Sequence, residues 1–596
     1  MTVFQEPLSE FIWDIKYRYR YENKIIDSTI EHTWQRIAKA IAKKEPTAQR
    51  SQWQKEFHHL LEDFHFLPGG RIIAGAGTQH AVTLFNCFVM PISDSLPAIF
   101  DGLKEGALTL QEGGGVGYDF SSLRPRGYPV KHAGSIASGP VSFMRIWNSM
   151  CATMQSTGAR RGAMMGILRC DHPDIEEFIM AKADPHELRH FNVSVLVTNE
   201  FMQAVKKNLD WQLVFPTEKT DPKETILRRW SGSALPVRCK IISRINARQL
   251  WHALIKSAYD YAEPGVIFED TVNQQNTLWY QEWLSATNPC GEIPLPTYGA
   301  CNLGAINLTQ FIVNPYSEHA KIDWQKLEKT TEVATRFLDN VIDVSRYPLK
   351  AQKLQAFSTR RIGLGITGLG DLLVMMGIQY GSDASIHLAR KIMQLISATT
   401  WQSSIELAKE RGVFAKFEKE KYLQGNFVQQ LPSTIRDDIA RYGIRNSHHN
   451  TIAPTGTISL LANNVSNGIE PIFSANYART VRSAENELQK FSVKSYALRL
   501  WQENHAEKLP PAWIDAHALA PLQHLQMQAA MQPYIDNAIS KTINIPENFP
   551  LEQLTEIYTQ AYSLGLKGCT IFRPNSITGS VLTVMDDDVD RCCQLS

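Results

Sequence analysis

Five consecutive residues, Asn288-Pro289-Cys290-Gly291-Glu292, set an amide, a thiol and a carboxylate at alternate positions, and a second thiol, Cys301, follows Cys290 by eleven residues. On extended backbone alternate side chains share a face, so the three groups are expected to meet one small ligand. A carboxylate can take a proton, an amide can hold a hydroxyl, and a thiol can give up an electron or a hydrogen atom. A third thiol, Cys87, sits in the strand-like run Leu84-Phe85-Asn86-Cys87-Phe88-Val89-Met90. Taken alone it reads as a small buried hydrophobe. The turn Pro454-Thr455-Gly456-Thr457-Ile458-Ser459 offers three hydroxyls and backbone N–H groups at the start of a helix. Such a turn can receive a phosphate, and the same residue types also make an ordinary helix cap. The run Gly113-Gly114-Gly115-Val116-Gly117 lacks both the Gly-Lys-Ser/Thr of a P-loop and dinucleotide spacing. By itself it means a tight turn or a close backbone approach. His172, His448 and His449 have no third partner at metal-ligand spacing, so no metal site is expected.

The elements that must carry these groups follow from texture. Residues 8–65 place Ile12, Ile15, Trp34, Ile37, Ile41, Phe57 and Leu61 at helical intervals among charges, predicting an N-terminal helical region over 1–65. From 66 to 576 short apolar runs and Gly-rich turns alternate with helical stretches such as 324–344 and 385–411, which predicts an α/β architecture. Residues 577–596, with Asp586-Asp587-Asp588 and a terminal Cys592-Cys593, read as a flexible tail. The chain has 596 residues, 61 Lys+Arg against 60 Asp+Glu, and no stretch of 18 apolar residues. That balance recommends neither a nucleic-acid polymer nor a membrane as partner. Nine cysteines, an odd number in a long chain with no secretory signal, point to a reducing cytoplasm.

The Asn-x-Cys-x-Glu segment, continued by Pro294-Leu295-Pro296-Thr297-Tyr298-Gly299-Ala300-Cys301-Asn302-Leu303-Gly304, resembles the radical-cysteine loop of ribonucleotide reductases. The resemblance extends through Cys87, Asp94-Ser95, the run from Gly113 to Arg124 and the Pro454–Ser459 turn, covering about 66–576. It implies a ten-stranded α/β barrel with a central finger loop carrying Cys290 at its tip. It implies that Cys290 is the thiyl-radical residue, Glu292 the general base, and Asn288 the hydrogen-bonding partner of the sugar hydroxyls. Cys87 and Cys301 would be the two-electron redox pair. Asn86, Gly115, Pro289 and Gly291 would line the substrate, and Pro454, Thr455, Gly456, Thr457 and Ile458 would hold its phosphates. Asp94 and Arg124 would bind a dNTP or ATP specificity effector, with Arg160 and Arg161 on the loop that relays its identity. A homodimer and a cytoplasmic location are the family expectation, and no extra N-terminal nucleotide-binding cone is expected.

Three routes to the thiyl radical occur in such enzymes. A C-terminal glycyl-radical signature is lacking here, and Ile571-Phe572 occupies the place of the tyrosine pair that relays a hole from a separate radical subunit. The resemblance therefore implies adenosylcobalamin as cofactor and reduction of ribonucleotides, with the diphosphates as the family expectation. Two alternatives stand beside it: the large subunit of a two-protein reductase, and a non-catalytic nucleotide-sensing relative. The vicinal pair Cys592-Cys593 departs from the Cys-x-x-Cys ending of many relatives. Adjacent Cα atoms lie about 3.8 Å apart, shorter than ordinary disulfides prefer, so a strained, easily reduced shuttle to thioredoxin or glutaredoxin is expected.

Overall fold

A computed structural model describes residues 3–574, apart from 23, 130–135, 155–161, 185, 219–220, 222–223, 234, 483–487 and 506–507, together with a short strand at Leu582–Val584. Arg160, Arg161, Cys592 and Cys593 lie outside the described residues.

The N-terminal region folds as α1 (Pro7–Lys16), α2 (Ile30–Ile41) and α3 (Arg50–Leu61). Thr29 caps α2 by accepting the His32 N–H, and Ile30, Trp34, Ile37 and Ile41 form its buried face. The turn after α2 carries Glu45, whose carboxylate is buried. It accepts hydrogen bonds from Arg336 and Asn340 on α4 (Trp324–Val344) and from Arg411 at the end of α5 (Asp383–Arg411). A buried charge stays ionised only when it is paired and hydrogen-bonded, and here the partners pull Glu45 below the usual carboxylate range against the opposing effect of burial. This cluster ties the helical region to the helices around the sheet.

The central sheet has ten strands: β1 (Phe66–Pro68), β2 (Cys87–Met90), β3 (Gly115–Asp119), β4 (Met164–Arg169), β5 (Phe191–Val197), β6 (Gly265–Phe268), β7 (Ala300–Asn307), β8 (Ile362–Thr367), β9 (Thr542–Asn544) and β10 (Gly568–Phe572). Their order is β8-β7-β2-β3-β4-β5-β6-β10-β9, with β1 paired to β7. Strands β2 to β6 are mutually parallel. The pairs β7–β8 and β9–β10 are also parallel, and they meet the first group through antiparallel contacts at β2–β7 and β6–β10. Residues 450–452 join the two edges. Asn450 bridges Leu364 on β8, and Ile452 bridges Ile539, just before β9, both in parallel sense. Backbone bonds from Thr451 to Leu364 and from Ile452 to Ala538, 3.2 Å each, carry the ladder across the gap. The barrel strands are almost wholly buried, as parallel strands with both faces covered must be.

Of the expected flexible tail, 577–596, only Leu582–Val584 is among the described residues. Leu582–Val584 is a strand, paired antiparallel to Asn476–Arg482 of an excursion hairpin whose other strand is Leu488–Lys494. An edge strand offers unpaired N–H and C=O groups to any extended segment within reach.

Candidate active site

Between β6 and β7 the chain enters the barrel as a hairpin, with Ala286–Thr287 paired to Pro294–Leu295. It can lie this close because Gly117 on β3 has no side chain: a Cβ there would stand 1.8 Å from the Thr287 carbonyl oxygen. The extended reading of 288–292 is corrected here. Gly291 takes φ +79°, its N–H donates to the Asn288 carbonyl at 3.1 Å, and the five residues form a tight tip. The reversal exposes Cys290 at the apex and buries Asn288 and Glu292 on its flanks.

Burial makes every bond of those flanks count. The Asn288 amide nitrogen donates to Glu292 Oε2 at 2.8 Å and to Cys87 Sγ at 3.2 Å, while its oxygen accepts the Ile293 N–H at 2.9 Å. One side chain thus links the carboxylate, a thiol and the tip's own backbone. The Glu292 carbonyl accepts from Thr451 Oγ1 at 2.8 Å and from the Ala538 N–H at 3.0 Å. The Pro289 carbonyl accepts from Asn192 on β5 at 2.8 Å. Gly115 faces Pro289, where a Cβ would lie 3.2 Å from the proline ring, and its N–H donates to the Asn86 carbonyl at 2.8 Å. The Asn86 side-chain oxygen is buried with no hydrogen-bond partner.

Cys87 and Cys301, far apart in sequence, are direct register partners across the antiparallel β2–β7 contact. Opposed residues have Cα atoms about 4.5–5.5 Å apart, within the span of a disulfide. Both are buried thiols. Burial pushes Cys87 well up, and Glu292, Cys290 and Cys301 push it further while the Asn288 amide opposes them. Burial likewise raises Cys301, with Arg361 opposing and Asp536 and Glu292 adding to the rise. Thiols so placed keep their protons at neutral pH and can donate them.

Asn192, Thr451, Asp536 and Ala538 were not legible as site residues. Asp536 accepts the backbone N–H groups of His449 at 2.7 Å and Asn450 at 2.8 Å, setting the segment that reaches Glu292. Only their positions in the closed fold reveal them.

The Pro454–Ser459 turn opens the helix Gly456–Leu461, with Thr455 and Gly456 both at positive φ. The Thr455 hydroxyl is engaged inward, accepting the Gly468 N–H at 3.0 Å and lying 3.0 Å from the Thr367 hydroxyl at the end of β8. Thr457 is half-buried and Ile458 packs into the core. Asp94 and Arg124 are brought together as an ion pair at 2.8 Å, and the Arg124 N–H also donates to Asp94 at 3.1 Å. His172 meets the Leu123 carbonyl at 2.9 Å and burial lowers it to about 4; His449 lies 3.1 Å from Asp536. Ile571 is buried on β10 with Phe572 beside it.

The ribonucleotide reductase barrel domain matches residues 85–572, and the ribonucleotide reductase all-alpha domain matches residues 3–81. The chain belongs to the ribonucleotide reductase family. A vitamin B12-dependent ribonucleoside-diphosphate reductase of Mycobacterium tuberculosis (strain CDC 1551 / Oshkosh) is 38% identical over 573 residues, spanning 92% of this chain and 75% of that protein. A protein of the same name from Thermoplasma acidophilum is 36% identical, over 94% of this chain and 69% of its own length. A ribonucleoside-diphosphate reductase subunit alpha of Chlamydia pneumoniae is 25% identical, over 94% of this chain and 58% of its own length.

Proposed function

We propose that this chain reduces ribonucleoside diphosphates to 2′-deoxyribonucleotides by a thiyl-radical mechanism with adenosylcobalamin as cofactor. The observation that carries the reading is the linked set at the finger tip: exposed Cys290 between buried Asn288 and Glu292, with Asn288 bonded to both Glu292 and Cys87, and Cys87 opposite Cys301. Family membership supports it, as do the names of the Mycobacterium tuberculosis and Thermoplasma acidophilum relatives.

The site suits the cofactor because the Cys290 thiol is accessible at the apex while its neighbours are enclosed. Cys290 is the residue that would meet it. When bound, adenosylcobalamin supplies homolysis of a cobalt–carbon bond, one-electron chemistry that no side chain of the site provides. Cys290 then serves as the thiyl radical that removes the ribose 3′-hydrogen. Glu292 takes the 3′-hydroxyl proton, and Asn288 orients the sugar hydroxyls through an amide already fixed by Glu292 and Ile293. Cys87 and Cys301 protonate the departing 2′-hydroxyl and supply two electrons, closing a disulfide across the strand pair. Asn86, Gly115, Pro289 and Gly291 form the wall beside the ribose. Pro454 to Ile458 take the phosphates. Asp94 and Arg124 exchange part of their mutual ion pair for a dNTP or ATP effector, with Arg160 and Arg161 relaying its identity. Cys592 and Cys593 carry electrons from thioredoxin or glutaredoxin.

A homodimer is part of the reading. The helices Leu96–Gln111 and Pro140–Thr153 expose Leu96, Phe100, Leu108 and Ile146, an apolar face suited to a second copy. Among the described residues no helix is long and apolar enough to cross a membrane, and a cytoplasmic setting fits the thiol chemistry.

The test is reduction of CDP with dithiothreitol by the isolated chain. Deoxycytidine diphosphate should form only when adenosylcobalamin is added, with no second protein. Dependence on a separate radical subunit would identify the large-subunit alternative, and inertness under both conditions the nucleotide-sensing one.

A further inference from the structure

We propose that the outer edge of Asn476–Arg482 is the docking rail of the C-terminal tail, and that pairing of Leu582–Val584 along it aims Cys592 and Cys593 at the Cys87–Cys301 pair. The inference rests on the reading of the tail cysteines as electron carriers and adds where and in which direction the tail is held.

Three backbone pairs define the dock: Arg479 with Leu582, Ala478 with Thr583, and Tyr477 with Val584. The inner edge of Asn476–Arg482 is satisfied by Leu488–Lys494, from Asn476–Lys494 at the base to Arg482–Leu488 at the tip. The outer edge is therefore the surface on which an extended segment of the same chain can add a strand, main-chain bonds giving the affinity.

Direction makes the dock informative. Because the pairing is antiparallel, the chain runs from Leu582 opposite Arg479 to Val584 opposite Tyr477, toward the hairpin base. The opposite sense would deliver the cysteines to the tip. The base is fastened to the segment that follows the helix opened by the proposed phosphate-binding turn. The Tyr477 hydroxyl donates to Asn464 Oδ1 at 2.9 Å, and the Asn464 amide donates to the Lys494 carbonyl at 2.9 Å. Asn464 stands three residues beyond the helix that opens at Gly456. Thr455, just before that helix, lies against Thr367 on β8. At the other end of β8, Gly363 faces the Cys301 sulfur, which a Cβ would approach to 3.2 Å.

Chain length sets the requirement. From Thr367 back to Gly363, where β8 faces Cys301, the strand covers about 13 Å at the rise of an extended strand. Cys592 and Cys593 follow Val584 by eight and nine residues, a reach of roughly 26–32 Å when extended.

The step the dock serves balances. A tail thiolate attacks one sulfur of the Cys87–Cys301 disulfide, that S–S bond breaks, and the released thiolate takes a proton. The second tail thiolate then attacks the mixed disulfide, forming Cys592–Cys593 and freeing the other barrel thiol. The two electrons come from the tail and are restored by an external dithiol, either thioredoxin or dithiothreitol.

The test keeps both cysteines and removes the rail contact in the full chain, by combining Leu582→Pro with Val584→Pro, since proline cannot donate to a ladder. Dithiothreitol-driven CDP reduction should stay within about twofold of the parent, because a small dithiol reaches the buried pair directly. Thioredoxin-driven turnover should drop about tenfold as the effective concentration of the tail at the barrel falls. Deuterium exchange at the amides of 476–482 should quicken in the proline variant. Parental thioredoxin-driven turnover in that variant, or unchanged exchange at 476–482, overturns the rail. The variant combining Cys592→Ser with Cys593→Ser separates the two ideas. If it sustains thioredoxin-driven turnover at the parental rate, the electron-carrier reading fails and the aim of the rail with it, while the exchange experiment still decides whether the tail docks there.

Discussion

Asn288 shows how much of the site hangs on one side chain. Its amide donates to Glu292 and to Cys87 and accepts from Ile293, so the carboxylate and the thiol hold a fixed relation before any substrate arrives. Replacing Cys290 by Ser should abolish turnover with CDP while nucleotide affinity, measured by equilibrium dialysis, stays at the parental value. A serine O–H bond is much stronger than the cysteine S–H bond it replaces, so hydroxyl cannot stand in for thiol as the hydrogen-atom carrier. Cys87→Ser and Cys301→Ser should each still consume CDP once but yield decomposed nucleotide in place of deoxynucleotide. Repeated clean turnover by either variant with dithiothreitol would remove that residue from the redox pair. At this scale the sequence is uneven. The sequence puts Asn288, Cys290 and Glu292 in one short segment, but the extended backbone that their alternation suggests is replaced by a tight tip, because the turn depends on the backbone of Gly291, and glycine admits many conformations. The pairing of Cys87 with Cys301 comes from resemblance alone, since nothing local foretells the β2–β7 register.

Among the elements, helices were the most legible. The apolar period over 324–344 matches α4 residue for residue, because an amphipathic stripe repeats every few residues whatever the tertiary context. Strand β3 was hidden, since its glycines are poor strand formers and are present to admit the finger hairpin. The base of that hairpin supplies a pH-dependent test. Trp283 donates to Glu269 Oε1 at 2.8 Å, and Arg169 donates to Glu269 Oε2 at 2.7 Å. Burial raises Glu269 from 4.5 to about 6, with Arg169 opposing. Between those two values the folded protein holds more protons than the unfolded chain. The stabilisation from this group is therefore complete below about 4.5 and is lost as pH rises through about 6. Glu269→Gln lacks the titration. Its stability relative to the parent should climb by about 2 kcal/mol between pH 4.5 and 7, read from urea unfolding at the two pH values. A constant difference would mean that Glu269 titrates normally.

Across the whole molecule, the helical region and the barrel share one buried charge cluster at Glu45. Glu45→Ala removes the acceptor shared by Arg336, Asn340 and Arg411, while Arg336 keeps Glu410 and Arg411 keeps Asn340 and Asp339; it should cost about 2 kcal/mol, seen as a lower thermal midpoint. Glu45→Gln, which keeps the shape and one acceptor, should cost less. Equal midpoints for parent and alanine variant would show that the cluster contributes nothing net. The α/β class was legible from the alternation of runs and helices, but the joining of the sheet edges through 450–452 was not, because those bridges are single and local propensity does not encode them.

The anchoring of the finger tip has a consequence for biogenesis. The Glu292 carbonyl is held by Thr451, 159 residues further along the chain, and by Ala538, later still. While the chain emerges from the ribosome, the hairpin exists long before anything can fix its apex. The Cys290 thiol, proposed to carry an unpaired electron, therefore comes to rest only after nearly the whole polypeptide has been made. A half-finished chain has the reactive residues in order along its length but lacks the frame that would let them act, so competence arrives last.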